Sequence, residues 1–178
     1  MTSRNPESAA RELLSQLHIV TPPVPVETIP QRLGARITYT EFEGTVSGML
    51  FRDESRGQVI IGVNHHHAKT RQRFTLAHEI AHLLLHRGKP VIVDRLVKVN
   101  LRNRESSMAT NTQEIEANRF AAEFLMPRMM VNEQVEKLLT SDPDLAENVL
   151  VVHLARTFGV SSEAMSYRLI NLGIRVIH

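Results

Sequence analysis

Apolar residues recur along the chain first at helical and then at alternating spacing, and the change of period divides the molecule. Ala10, Leu13, Leu14 and Leu17 repeat at helical intervals behind a proline suited to a first turn, which predicts a helix over residues 7–17. The proline-rich "TPPVPVETIP" reads as an extended connector, and "VETIPQRLG" as a short helix closed by Gly34. The period then shortens. "ARITYTEF", "VSGMLFRD" and "GQVIIGVN" are β-branched or alternating runs separated by turn residues, which predicts three strands in a mainly antiparallel sheet. Beyond the helix that follows them lie a short possible strand, "PVIV", an alternating "LVKVNL" and the polar "RNRESSMATNT". A polar connection of that length, residues 94–112, is either mobile or functional. Four helical stretches close the chain: "TQEIEANRFAAEFLM" stopped by Pro127, "MMVNEQVEKLL", "DLAENVLVVHLARTFG" and "SSEAMSYRLINLG". The order of helix, sheet and helices argues for an α+β fold with a helical C-terminal part rather than alternating βαβ units.

Composition narrows the class. With 178 residues, 42% hydrophobic and 22% charged, the chain fits one folded domain with a core of its own, taken here as residues 1–178. Within it we distinguish N-terminal helices and sheet at 1–64, a central helical pair at 68–126 and a C-terminal helical part at 127–178. A net charge of +2 gives no reason to infer a nucleic-acid surface. Cysteine is absent, which excludes disulfides, thiolate metal sites and a cysteine nucleophile. No run approaches the roughly 20 apolar residues of a membrane span, and the N-terminus lacks a signal-peptide core, so the expected setting is soluble and cytoplasmic.

The helix "RFTLAHEIAHLLLH" carries the chemistry. Helical periodicity gathers Thr75, His78, Glu79, His82 and His86 on one stripe, while Leu76, Ala77, Ile80, Ala81, Leu83, Leu84 and Leu85 fill the rest. Such a helix is expected to be buried on most sides. Each unpaired polar group on it then costs about 1–3 kcal/mol. A metal ion resolves that cost. His78 and His82 form H-E-x-x-H, whose i, i+4 spacing lets two imidazoles share Zn²⁺, and the offset Glu79 suits a base that activates water beside the metal. The competing reading is a set of buried histidines satisfied by hydrogen bonds.

A catalytic zinc site needs a third protein ligand, and without cysteine it must be a carboxylate or histidine. Two glutamates of "QEIEANRFAAEFLMP" compete for the role. Glu114 shares its face with Ala117, Asn118, Ala121 and Leu125, a small apolar strip fit for close helix packing. Glu116 lies with Arg119, Phe120 and Glu123 on a strip that reads as a solvated face with helical ion pairs. Periodicity therefore favours Glu114 over Glu116. Asn118, one turn on, is placed to orient a ligand by hydrogen bonding or simply to pack.

These two segments, "RFTLAHEIAHLLLH" and "EIEANRFAAEFLMP", resemble the ImmA/IrrE family of zinc metallopeptidases, with its H-E-x-x-H followed by E-x-x-A-x-x-F-A and L-x-P. The likeness extends to "VPVETIPQRLGARI", "SGMLFRD", "VIIGVN" and "LARTFGVSSEAMSYRLINLGI". The resemblance implies a zincin-like helical core, Zn²⁺ held by His78, His82 and Glu114, and Glu79 as catalytic base. It further implies a protein substrate, a helix-turn-helix transcriptional repressor encoded nearby, cleaved to derepress stress-response or mobile-element genes. The chain is short for a DNA-binding domain beside the peptidase fold, so the repressor is expected on a separate polypeptide.

Other assignments are more open. The oxyanion-stabilising residue is not identified; candidates are His86, Tyr167, His153 and the triple histidine at 65–67. Of these, His86 reads as a helix-end histidine beside the last carbonyls, His153 as a core or helix-face residue, and 65–67 as a solvated loop. The substrate chain is expected to add to an edge strand within 46–52. Two rival classes remain: a metal-binding partner of a repressor or toxin–antitoxin pair that does not hydrolyse, and a DNA-binding module built on the helix-turn-helix-like residues 154–174. Against the latter, that segment carries only Arg156 and Arg168 as basic residues, too few for strong nucleic-acid binding.

Overall fold

The computed structural model describes residues 5–53, 55–86, 90–95 and 108–174. Among them seven helices and four strands follow in the order α1 (Pro6–Gln16), α2 (Ile29–Arg32), β1 (Ala35–Thr40), β2 (Val46–Asp53), β3 (Gln58–Asn64), α3 (Lys69–Leu85), β4 (Val91–Arg95), α4 (Met108–Leu125), α5 (Arg128–Ser141), α6 (Glu147–Phe158) and α7 (Ser162–Leu172). Local chemistry explains the boundaries. Asn5 caps α1 by accepting from the Ser8 amide at 2.9 Å, with Pro6 in the first turn. Gly159 and Gly173 end α6 and α7 in left-handed conformation, which costs glycine nothing. The alternating "LVKVNL" and the polar residues 96–107 lie outside the described residues.

The sheet corrects the sequence-based expectation. It is four-stranded and mixed, in the order β1-β3-β2-β4, instead of three-stranded and mainly antiparallel. β1 runs parallel to β3, while β2 is antiparallel to both β3 and β4. The chain makes β2 between β1 and β3 but seats it on the far side of β3, which leaves β1 to pair with β3 in the same sense. The possible strand at "PVIV" supplies β4. Because β2 is paired on both sides, residues 46–52 form an interior strand and offer no edge to a substrate; among the described residues the edges are β1 and β4.

Leu50, Ile61 and Ile92 lie opposite one another on neighbouring strands and are buried together, forming one row of the core. The face of β2 that includes Leu50 lies under α3. Gly48 is the closest point: a Cβ built there would fall 2.4 Å from Thr75 Cγ2 and 2.7 Å from Glu79 Oε1, so only glycine lets strand and helix approach this far. Arg52 sits two pleats along and donates to the carbonyl oxygens of His82 (2.7 Å) and His86 (3.1 Å), placing a cation at the C-terminus of α3.

The strip of α4 read as solvated is the largest departure. Phe120 is fully buried and Glu123 is 2% exposed. The reason is tertiary: α1 and α7 cover that face. Arg11 of α1 donates to Glu123 at 3.4 Å, Arg119 pairs with Glu7 of α1 at 3.1 Å, and the buried Arg168 of α7 donates to Glu123 and, at 3.0 Å, to the Met126 carbonyl. Arg73 ties the remaining pieces, donating to Glu27 at 2.7 Å, the Val24 carbonyl at 2.8 Å and the Gly159 carbonyl at 3.0 Å. Its one guanidinium holds α3, the connector before α2 and the α6–α7 turn together.

Removing one partner of a buried ion pair strands the other charge. Glu123→Ala is therefore expected to destabilise the fold by about 3–5 kcal/mol, read as a lowered urea midpoint. Glu123→Gln, which still accepts from Arg168, should lose less.

Candidate metal centre

Two stripes meet where α3 crosses α4. His78 and His82 stand one turn apart on α3, fully buried, and Glu114 reaches in from α4. Glu114 Oε2 is 3.1 Å from His78 Nε2, its Oε1 is 3.3 Å from His82 Nε2, and the two Nε2 atoms are 3.0 Å apart. All three donor groups fall within 4.8 Å of one another. Glu116, the alternative, is turned away toward His86.

The hydrogen bonds behind these side chains determine where their protons sit. On α4, one turn past Glu114, the Asn118 side chain meets His78, with Oδ1 3.0 Å from Nδ1. An amide oxygen accepts only, so His78 donates from Nδ1 and turns an Nε2 lone pair into the centre. Behind His82 stands a longer chain. Glu116 Oε2 is 2.9 Å from His86 Nε2, and His86 Nδ1 is 2.9 Å from His82 Nδ1. The carboxylate accepts, so His86 carries its proton on Nε2; its Nδ1 then accepts from His82 Nδ1–H, and the His82 Nε2 lone pair also faces the centre.

Two imidazole lone pairs and a carboxylate thus converge with no proton among them, an arrangement that suits a divalent cation and is costly without one. Burial pushes the His82 imidazole below its usual 6.5, against the contrary pull of Glu114. Burial raises the Glu114 carboxyl, but any proton that enters the cluster is donated toward Glu114 by the His78 or His82 ring, and this outweighs burial and holds the carboxyl well below the usual carboxylate range. Neutral imidazoles beside an ionised carboxylate are the protonation states a metal requires.

His86 is corrected on two counts. It neither sits idle beside the last helical carbonyls, which Arg52 serves, nor faces the centre as an oxyanion donor, because both its ring nitrogens are engaged by His82 and Glu116. Tyr167 lies on α7, 62% exposed. His153 is exposed on α6, and the His65–His67 turn is held through its backbone by Gln72, which donates to the carbonyls of His65 (3.0 Å) and His67 (2.9 Å).

Glu79 is fully buried beside Gly48 and Thr75, offset from the two histidines on the same helix. Sequence reasoning set Glu116 on a solvated face, whereas it meets His86, and it missed Arg52 and Gly48 at this site. Of these only Gly48 left a signal, an isolated glycine inside a strand pattern, which marks close backbone approach.

Two histidines and a glutamate that could hold a metal ion are the kind of site a metallopeptidase-type family carries. The chain belongs to the Peptidase_M78 family, the IrrE N-terminal-like domain, whose model matches residues 30–170. No curated protein matches it. Among solved structures it resembles a Mycobacterium tuberculosis transcriptional regulator with a TM-score of 0.59 at 17% identity, over 92% of this chain and 46% of that one. At that identity the likeness speaks to the fold, and this chain spans about half the length of the regulator.

Substituting a group that orients a metal-binding histidine typically costs about 10–100-fold in metal affinity. His86→Ala and Glu116→Ala are expected to fall in that range in chelator competition, whereas Glu116→Gln, whose amide oxygen still accepts from His86, should stay close to wild type. Protons compete for the same lone pairs, and because burial lowers the His82 imidazole, metal affinity should hold through the ordinary histidine range near 6.5 and fall only at more acid pH. Titration with Co²⁺ followed by its visible absorption would show both effects.

Proposed function

We propose that this chain is a zinc-dependent endopeptidase that cleaves a separate helix-turn-helix repressor in the cytoplasm and so derepresses its genes. The observation that carries the reading is the convergence of His78, His82 and Glu114 within 4.8 Å, with the buried Glu79 alongside. In this reading the three residues would be the metal ligands. Bound there, Zn²⁺ supplies a Lewis acid that polarises the scissile carbonyl and brings the pKa of water toward about 7. Zinc is supported by two imidazoles of an H-E-x-x-H helix joined by a carboxylate from a second helix.

Glu79 then accepts the proton of the attacking water and delivers it to the leaving amine. Its place on the same rigid helix as two ligands fixes its position relative to them, and Gly48 keeps β2 close enough to shut bulk water away from one side. Asn118 and the Glu116–His86 pair keep the ligand imidazoles in the required tautomers. Tyr167 is the remaining candidate for steadying the developing oxyanion. The substrate main chain is assigned to the outer side of β4, an edge strand among the described residues where Val91 and Val93 are exposed, because β2 is paired on both sides.

One observation favours a protein-directed role over direct DNA reading. Arg168, the single basic residue of α7, is buried against Glu123 and so is withdrawn from any phosphate. No helix among the described residues is long and apolar enough to cross a membrane. A transcriptional regulator of the same fold is in keeping with a target in gene control.

Co-expression with the repressor encoded beside it, followed by mass spectrometry, tests the assignment. A shortened repressor is expected with the wild type and not with Glu79→Gln, while the variant keeps its zinc. Cleavage by Glu79→Gln would remove the base assignment, and an intact repressor in both cultures would favour a non-hydrolytic partner.

A further inference from the structure

The stripes that build the metal centre do not end there. On α3 the face that holds His78 continues one turn back to Phe74, whose ring lies 6.4 Å from that of His78. On α4 the face that holds Glu114 and Asn118 continues one turn on to Ala122. Both lead into a cleft of about 550 Å³ between α3, α4 and the N-terminal half of α7. Phe74, Ala122, Met126, Val160 and Ala164 supply its apolar walls. Arg71, Glu163 and Tyr167 stand at its exposed mouth.

Resting on the endopeptidase reading, we infer that this cleft receives one large apolar side chain of the substrate that is unbranched at Cβ, leucine, methionine or phenylalanine, from a residue next to the scissile bond. Ala122 and Ala164 are its specificity-determining residues. Continuity decides the location: Asn118 lines the cleft and accepts from His78, and Phe74, another wall, has its ring 6.4 Å from that of His78, so the cleft lies beside the turn of α3 that carries the first donor. The walls decide the chemistry. The one charged group among the buried lining residues, Arg168, is already engaged by Glu123 and the Met126 carbonyl, so a charged side chain entering deeply would find no partner and would be strongly disfavoured. The size follows from the two alanines. They are half-buried on facing helices, and their missing side-chain volume contributes to the hollow. A volume of about 550 Å³ lies well inside the range of small-ligand sites, roughly 300–1,000 Å³, and leaves room at the polar mouth for neighbouring main chain.

Binding and cleavage are read separately. Zinc-loaded Glu79→Gln protein is titrated against fluorescein-labelled decapeptides of alanine, glycine and serine that carry one central guest residue. Leucine, methionine and phenylalanine guests are expected to bind roughly tenfold or more tightly than alanine, aspartate or lysine guests. Filling the hollow in the same background with Ala164→Phe, or with Ala122→Leu should the first variant fail to fold, should abolish that preference while zinc content and melting temperature stay near those of the parent. A preference for charged guests, no preference at all, or a preference that survives both substitutions would overturn the inference. The wild-type enzyme is incubated with the same peptides and analysed by mass spectrometry. A guest preference in binding with no cleavage by the wild type would count against the peptidase reading and leave the cleft assignment standing. Cleavage that ignores the guest would do the reverse.

Discussion

A helix that is apolar over most of its surface and yet buries two imidazoles and a carboxylate must find partners for them inside the protein, and the packing around α3 is organised by that requirement. Gly48 lets β2 close over Thr75 and Glu79, Arg52 neutralises the helix C-terminus, and α4 lies across the polar stripe to bring Glu114 against His78 and His82. The apolar residues of α3 hold the helix in the core, since burying each large side chain contributes about 1.5–3 kcal/mol. That burial makes the position of the two imidazole donors a property of the core rather than of a loop.

The polar groups one step further out do two kinds of work. Asn118 and the Glu116–His86 pair act on the histidines, each group limiting which nitrogen of the next can carry a proton. Glu123, Arg168, Arg11 and Arg73 act on the helices, joining α1, α4, α7 and the connector before α2 around the site. The second network also shapes the cleft beside the metal centre, because the ion pair of Arg168 holds α7 against α4. An ion pair of this kind adds little net stability over well-packed apolar residues, but its directionality favours one relative placement of the helices.

Much of this was legible beforehand, for identifiable reasons. Helix positions followed from periodicity and from local stop signals such as Gly34, Pro127 and Gly159. The grouping of His78, Glu79 and His82 followed from the pitch of a single helix. The preference for Glu114 over Glu116 came from the small residues on its face, and in the structure Glu114 lies beside the two imidazoles while Glu116 does not. The ordering of the sheet was not legible, because parallel pairing of β1 with β3 depends on which side of β3 receives β2. The burial of Glu123 was not legible either. Its strip looks charged in isolation and is covered only once α1 and α7 dock, each bringing an arginine.

His86 marks the boundary between the two kinds of knowledge. Helical spacing by itself determined that it stands one turn from His82 on the same stripe, because that relation is set by the pitch of a single element. Whether it serves a ligand, the last carbonyls or solvent depends on what faces it from elsewhere. Glu116, brought in from α4 across the fold, decides that only in three dimensions: a carboxylate can only accept, so it orients His86, and through His86 it turns the lone pair of His82 toward the centre.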